Sequence, residues 1–157
     1  MSYILVIPIA TAKNHLRVDL DFTQDDAAIE RMIESALELV EQNTSHILYA
    51  RDKTYYRLVD NDRIVVFDYP INTNDTDVTA LHYSLRKEYA ADEITLNVGY
   101  VLPADVPSPL IEAALMIIEN WYYESQITGT IRSASNKTII PEMAMSILFN
   151  YKRFIVS

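Results

Sequence analysis

The chain has 157 residues, half of them hydrophobic and 22% charged, the balance of an ordinary globular domain. A single chain of this length buries about 68–70% of its unfolded surface and needs neither metal nor disulfide to hold a core. Thirteen basic against 22 acidic residues leave a net charge of −9, a poor basis for gripping nucleic-acid phosphates. Zero cysteines exclude a disulfide scaffold, a thiol nucleophile and a cysteine zinc site, and two glycines leave no glycine-rich phosphate cradle.

The apolar opening, Tyr3 to Ala10, has no basic residue before its apolar run and is far short of the ~20 residues a membrane helix needs. A soluble, cytoplasmic chain with no membrane contact is expected. Thr11 can cap a short helix reaching about Arg17, with Leu16 turned inward. After the turn Asp19-Leu20-Asp21-Phe22, the side chains of Thr23, Asp25 and Asp26 offer acceptors to the free N–H groups of a second helix, Gln24 to Asn43. Ile29, Ile33, Leu37 and Val40, with Met32 and Ala36, form its apolar stripe.

From Arg51 to Tyr100 the period falls to two. Thr54–Val59 and Arg63–Phe67 flank Asp60-Asn61-Asp62, which reads as a hairpin loop. Val78–Leu85 alternates, and Glu93–Tyr100 alternates more cleanly, with Ile94, Leu96, Val98 and Tyr100 on one face. An antiparallel sheet of three or four short strands is the economical reading, with a polar loop from Pro70 to Asp77. Ser108, as N-cap before Pro109, then opens a third helix to about Glu124. Only Glu112 is polar between Leu110 and Ile118, so this helix needs cover on more than one side, from the core and from a neighbouring subunit. A small, polar stretch from Thr128 to Thr138 leads to a last helix restarted by Pro141 and ending in Lys152-Arg153.

The fold expected is α+β: a mainly helical bundle with a small antiparallel β-sheet insertion. It is one domain over 1–157, helical at 11–43 and 108–126, with the β insertion at 51–100. The stretch 139–157 carries more apolar surface than one helix face needs, and it is read as a segment docking on another chain.

Catalytic chemistry finds little support. Asp19, Asp21, Thr23, Asp25 and Glu30 fit a calcium-loop register, but Gln24 stands where that loop needs glycine, and a carboxylate-rich helix start explains them better. His15, His46 and His82 are scattered, and no G-x-S-x-G elbow exposes a serine. No catalytic residue, metal ligand or cofactor follows. One electrostatic feature stands out: Asp26, Glu30, Glu34 and Glu38 succeed each other at i, i+4, and Asp19–Gln42 holds eight acidic residues against one basic. Such a stripe is a solvated face, or a surface that repels DNA or meets a basic partner. From Arg132 to Ser157 the balance reverses, four basic residues against Glu142.

Three segments, in order, carry a family resemblance: IATAKNHLRVD with DDAAIERMIESALELVEQNT, then VGYVLPADVPSPLIEAALMIIENWYYES, then IPEMAMSILFNYKRF. Together they resemble the tailed-phage head–tail connector (adaptor) family, with its K-x-H-L-R-V-like string on Lys13, His15, Leu16, Arg17 and Val18. Ser125-Gln126 and Asn150 depart from the family pattern, standing where an arginine and a proline are usual. The resemblance implies a structural, non-enzymatic virion protein of a tailed phage or prophage, made in the host cytoplasm. It implies a ring of about twelve copies on the portal protein, a tail-completion or stopper protein beneath, and genome DNA passing through without specific binding. Interface residues expected on this reading are Met116, Trp121, Tyr122, Phe149, Tyr151, Lys152 and Arg153, with Asp26, Glu30, Glu34 and Glu38 facing the channel. Two alternatives stay open: an acidic DNA-mimic or regulatory binding protein, and a small hydrolase with clustered carboxylates.

Overall fold

The structure, a computed structural model, describes residues 3–57, 64–72, 87–89, 92–128 and 140–152. A short helix α1 (Tyr3–Val6) leads through Pro8 into α2 (Ile9–Leu16), and α3 (Asp26–Thr44) follows the acidic turn. Four strands come next, β1 (Arg51–Tyr56), β2 (Ile64–Val66), β3 (Lys87–Tyr89) and β4 (Glu93–Val98). A 3-10 turn at Pro103–Asp105 precedes α4 (Ser108–Thr128), and α5 (Glu142–Tyr151) closes the described chain.

The stripe on α3 is buried as its spacing predicts: Ile29, Ile33, Ala36, Leu37 and Val40 are fully covered and Met32 nearly so. They pack on α4, whose Leu110, Ala113, Ala114, Ile117 and Ile118 have no exposed surface. The extra cover that α4 requires comes from within the chain. Besides α3, it packs against α2 and against α5, which contributes Ala144 and Leu148 to the same core. A neighbouring subunit is not needed for that purpose, which corrects the expectation drawn from the apolar run alone.

Helix ends differ from the capping scheme for a physical reason. Helix α2 begins two residues before Thr11, because the Pro8 carbonyl accepts from the Thr11 and Ala12 amides at 2.9 and 3.2 Å. Asp25 is the N-cap of α3 but makes no side-chain capping bond. Its carboxylate instead accepts from the Tyr122 hydroxyl at 2.8 Å, so α4 takes the oxygen that the helix start was expected to use. Proline opens α5 as anticipated, with the Pro141 carbonyl accepting from Met145 N–H at 2.9 Å.

The strands pair differently from a simple hairpin. β1 runs antiparallel to β4, Arg51 opposite Val98 and Tyr56 opposite Glu93, while β2 pairs with β3, Ile64 opposite Tyr89. Two small two-stranded sheets therefore replace the single sheet expected, and the β1–β2 ladder is absent among the described residues. The Asp60–Asp62 loop and the strand expected at Val78–Leu85 lie outside the described residues. Alternation on β4 holds: Leu96 and Val98 are buried, Thr95 and Asn97 exposed. With Ile47, Ile64 and Val66 they form a second, smaller core. Gly99 ends β4 at φ 110°, where a Cβ would collide with the Tyr49 carbonyl, so the close approach of these two segments requires glycine. No helix among the described residues is long and apolar enough to cross a membrane.

Candidate docking surfaces

Each end of α3 is closed by a buried charge that lies on an apolar stripe. Lys13 follows Ile9 and precedes Leu16 at helical spacing, and it is only 2% exposed. Its ammonium donates to the carbonyls of Leu20 (3.0 Å) and Phe22 (2.7 Å) and pairs with Asp26 at 2.6 Å. The rest of the K-x-H-L-R-V-like string completes this corner. Arg17 ends α2 in the left-handed conformation, Val18 N–H donates back to the Lys13 carbonyl, and His15 Nε2 faces Glu119 of α4 at 3.3 Å. The loop between α2 and α3 is thus pinned from inside, while the side chains of Leu20 and Phe22 stay 52% and 40% exposed.

At the far end, Glu41 continues the row Ile29, Ile33, Leu37 and is buried. One carboxylate oxygen accepts from the Leu48 amide at 2.7 Å and from Arg51 Nη1 at 3.1 Å; the other accepts from Arg51 Nη2 at 2.6 Å and from the Tyr3 hydroxyl at 2.8 Å. The Arg51 guanidinium also lies 4.5 Å from the centre of the Tyr49 ring. Burial, then the bond to Glu41, pushes the Tyr3 phenol well above its ordinary value. Burial works to lower the Arg51 pKa, but the Glu41 bond outweighs it and holds the guanidinium charged. In the sequence Lys13 stood only in the K-x-H-L-R-V-like string and Glu41 only in the acidic count; a charge on an apolar row was the signal that could have revealed both.

The residues expected at an interface fall into three groups. Tyr122 is buried in its own chain and bound to Asp25, and Met116 and Trp121 pack half-buried against the core. Tyr151 is half-buried, its ring edge-on to His46 at 5.7 Å, beside a His46 Nδ1–Tyr100 hydroxyl contact of 2.8 Å. Phe149 and Lys152 are exposed, and Arg153 lies outside the described residues. Around Phe149 the outer side of α5 is strongly apolar: Met143 is 67%, Phe149 61% and Met145 42% exposed. Ile140, Met145 and Phe149 line an open groove here with Glu142, Ser146 and Asn150.

The acidic stripe is narrower than its spacing implied. Glu34 and Glu38 are exposed and Glu30 is half-exposed, but Asp26 is drawn to Lys13. Of the calcium-register carboxylates, Asp19 accepts from the Asp21 amide at 3.1 Å and Asp25 is taken by Tyr122. Among the described residues no three acidic or histidine side chains converge as metal ligands would. The geometry therefore offers a pinned loop with two exposed apolar side chains, an α5 side with exposed apolar side chains, and a short carboxylate row.

A family model described as "Phage gp6-like head-tail connector protein" matches residues 7–155. No curated protein matches the chain in sequence. Among solved structures, a chain from "Neck of empty GTA particle computed with C6 symmetry" is similar, with 17% identity and a TM-score of 0.68 over 97% of this chain and 92% of that one. Another, from "Virion of native gene transfer agent (GTA) particle", gives 17% and 0.67 over the same shares. A third, from "Neck of native GTA particle computed with C12 symmetry", gives 17% and 0.61, covering 97% and 91%. At that identity these three show a shared fold.

Proposed function

The chain belongs to the phage gp6-like head–tail connector family, and from that premise we propose that it assembles as a ring on the portal protein, joining a DNA-filled head to a tail. A structural connector of a phage-like particle is what the family is; the ring, its partners and the residues that serve it are the reading advanced here. About twelve copies is the ring size the family resemblance implies, and head-to-tail contacts that close generate cyclic symmetry of this kind. The portal lies on one side of the ring, a tail-completion or stopper protein on the other, and assembly takes place in the host cytoplasm.

One observation carries this reading furthest: α5 leaves Met143, Met145 and Phe149 to solvent, outside the core that the described residues form. Large exposed apolar side chains on one helix support a contact with another macromolecule. Phe149, Lys152 and Arg153 are assigned to that contact, which Tyr151 supports from inside; Met116, Trp121 and Tyr122 lie on α4 and are assigned to a second contact or to the core. No catalytic residue, metal or cofactor is assigned.

The carboxylates Glu30, Glu34 and Glu38, with Asp26 at the end of their row, are placed toward the channel. Carboxylates there repel passing phosphates, an effect that salt screens over about 8–10 Å. Reversing Glu30, Glu34 and Glu38 to lysine is expected to make the protein retain DNA at low salt without unfolding it. Unchanged DNA behaviour, or a ring structure with these side chains on its outer wall, rejects the channel placement. For the function itself, particles made without this protein should accumulate as filled heads and separate tails, joined again when wild-type protein is added back. Normal joining in its absence would overturn the reading.

A further inference from the structure

We propose that copies of this chain meet head to tail, the α2–α3 loop of one seating Leu20 and Phe22 in the α5 groove of the next. The proposal rests on the ring reading and deepens it by naming the two surfaces that close the ring.

The loop is unusual for an exposed connection. Two large apolar side chains face solvent while the carbonyls of the same two residues are held by the buried Lys13 ammonium. A segment fixed in advance loses little freedom on binding, so it acts as a preformed knob. The α5 groove supplies the counterpart: Ile140, Met145 and Phe149 line it together with Glu142, Ser146 and Asn150. Charge favours the pairing at the C-terminal end of α5, ten residues from Glu142. The loop carries Asp19 and Asp21, both exposed, and α5 runs into the exposed Lys152, followed in sequence by Arg153. A loop-to-loop dimer would set Asp19 and Asp21 of two copies against each other, which like-charge repulsion disfavours.

Placement makes the contact intermolecular. The loop precedes the N-terminal end of α3, and α5 ends with Tyr151 packed on His46, just past the C-terminal end of α3. Nineteen helical residues hold those ends ~27 Å apart. The loop cannot reach the Phe149 end of its own α5, so the pair is heterologous, the type of contact that closes rings.

The absence of cysteine permits a direct test. Particles are assembled from the double variant Phe22→Cys/Met145→Cys, oxidised, and resolved without reductant. A second pair, Asp21→Cys/Asn150→Cys, uses two exposed polar positions and so does not depend on the packing of the first. The expected result is a ladder of cross-linked dimers and higher multimers with either pair, at about tenfold the level given by the corresponding single variants. Joined particles whose protein migrates only as monomer in both pairs overturn this contact and leave the ring reading standing. Particles carrying one copy at the neck overturn both.

Discussion

At the N-terminal end of α3 a buried ammonium, Lys13, is shared between two loop carbonyls and Asp26. At the C-terminal end a buried carboxylate, Glu41, is shared among a guanidinium, a phenol and an amide. Both charges oppose the helix macrodipole, which favours anions at the start and cations at the end, and each is offset by an opposite charge brought to it. The difference lies in whom they serve. Glu41 ties α3 to α1 and β1, so it is a joint between the helical layer and the strands. Lys13 ties α3 to a loop whose side chains face outward, so it shapes a surface. One device thus builds an internal joint at one end and a fixed, exposed loop at the other.

That distinction can be broken by substitution. Glu41→Leu strands the partly buried Arg51 guanidinium and the Leu48 amide together, and should cost about 3–5 kcal/mol in urea unfolding, as breaking a buried pair does. A cost near zero would show that the layers are held by apolar packing alone. Lys13→Met should cost less, about 2 kcal/mol, because the Asp26 side chain is 31% exposed and can turn toward water. Its signature should be local: amide exchange at residues 19–22 accelerates while protection on α4 is kept. Uniform loss of protection would make Lys13 a joint of the same kind as Glu41, and the comparison would fall.

The smallest effect expected, about 1 kcal/mol, is for Tyr3→Phe, which leaves Glu41 its other donors. It carries a pH dependence of definite sign. Folding raises the phenol pKa, so its contribution is complete below the ordinary phenol value of about 10 and is lost as pH climbs from there toward the raised value. The stability gap between wild type and Tyr3→Phe should therefore narrow in alkali. A gap that stays constant above pH ~10 would mean that Tyr3 is not bound to Glu41.

Much of this was legible in the sequence, and the reason is local periodicity. Ile29, Ile33, Leu37 and Val40 announce both the helix and its buried face, because a 3.6-residue repeat needs no knowledge of the partner. Leu96 and Val98 announce β4 in the same way. Which strand pairs with β4 is not a local property. β1 lies more than thirty residues earlier, and the hairpin expected across Asp60-Asn61-Asp62, which pairs neighbours in sequence, gave no hint of it. Long-range partners also explain why Asp25 and Asp26 looked like caps: the Tyr122 hydroxyl and the Lys13 ammonium that claim them come from other helices. The exposed apolar loop was the least legible part. Leu20 and Phe22 read as ordinary turn residues until the fold showed both side chains exposed on a pinned loop.

The central claim is that this connector works as a closed ring of copies on a portal. Electron cryomicroscopy of the purified protein mixed with the portal of its own particle addresses it directly. The account predicts a closed ring coaxial with the portal, each copy touching two neighbours through different surfaces. Copies that bind the portal singly, or that remain unbound monomers at high concentration, would contradict it.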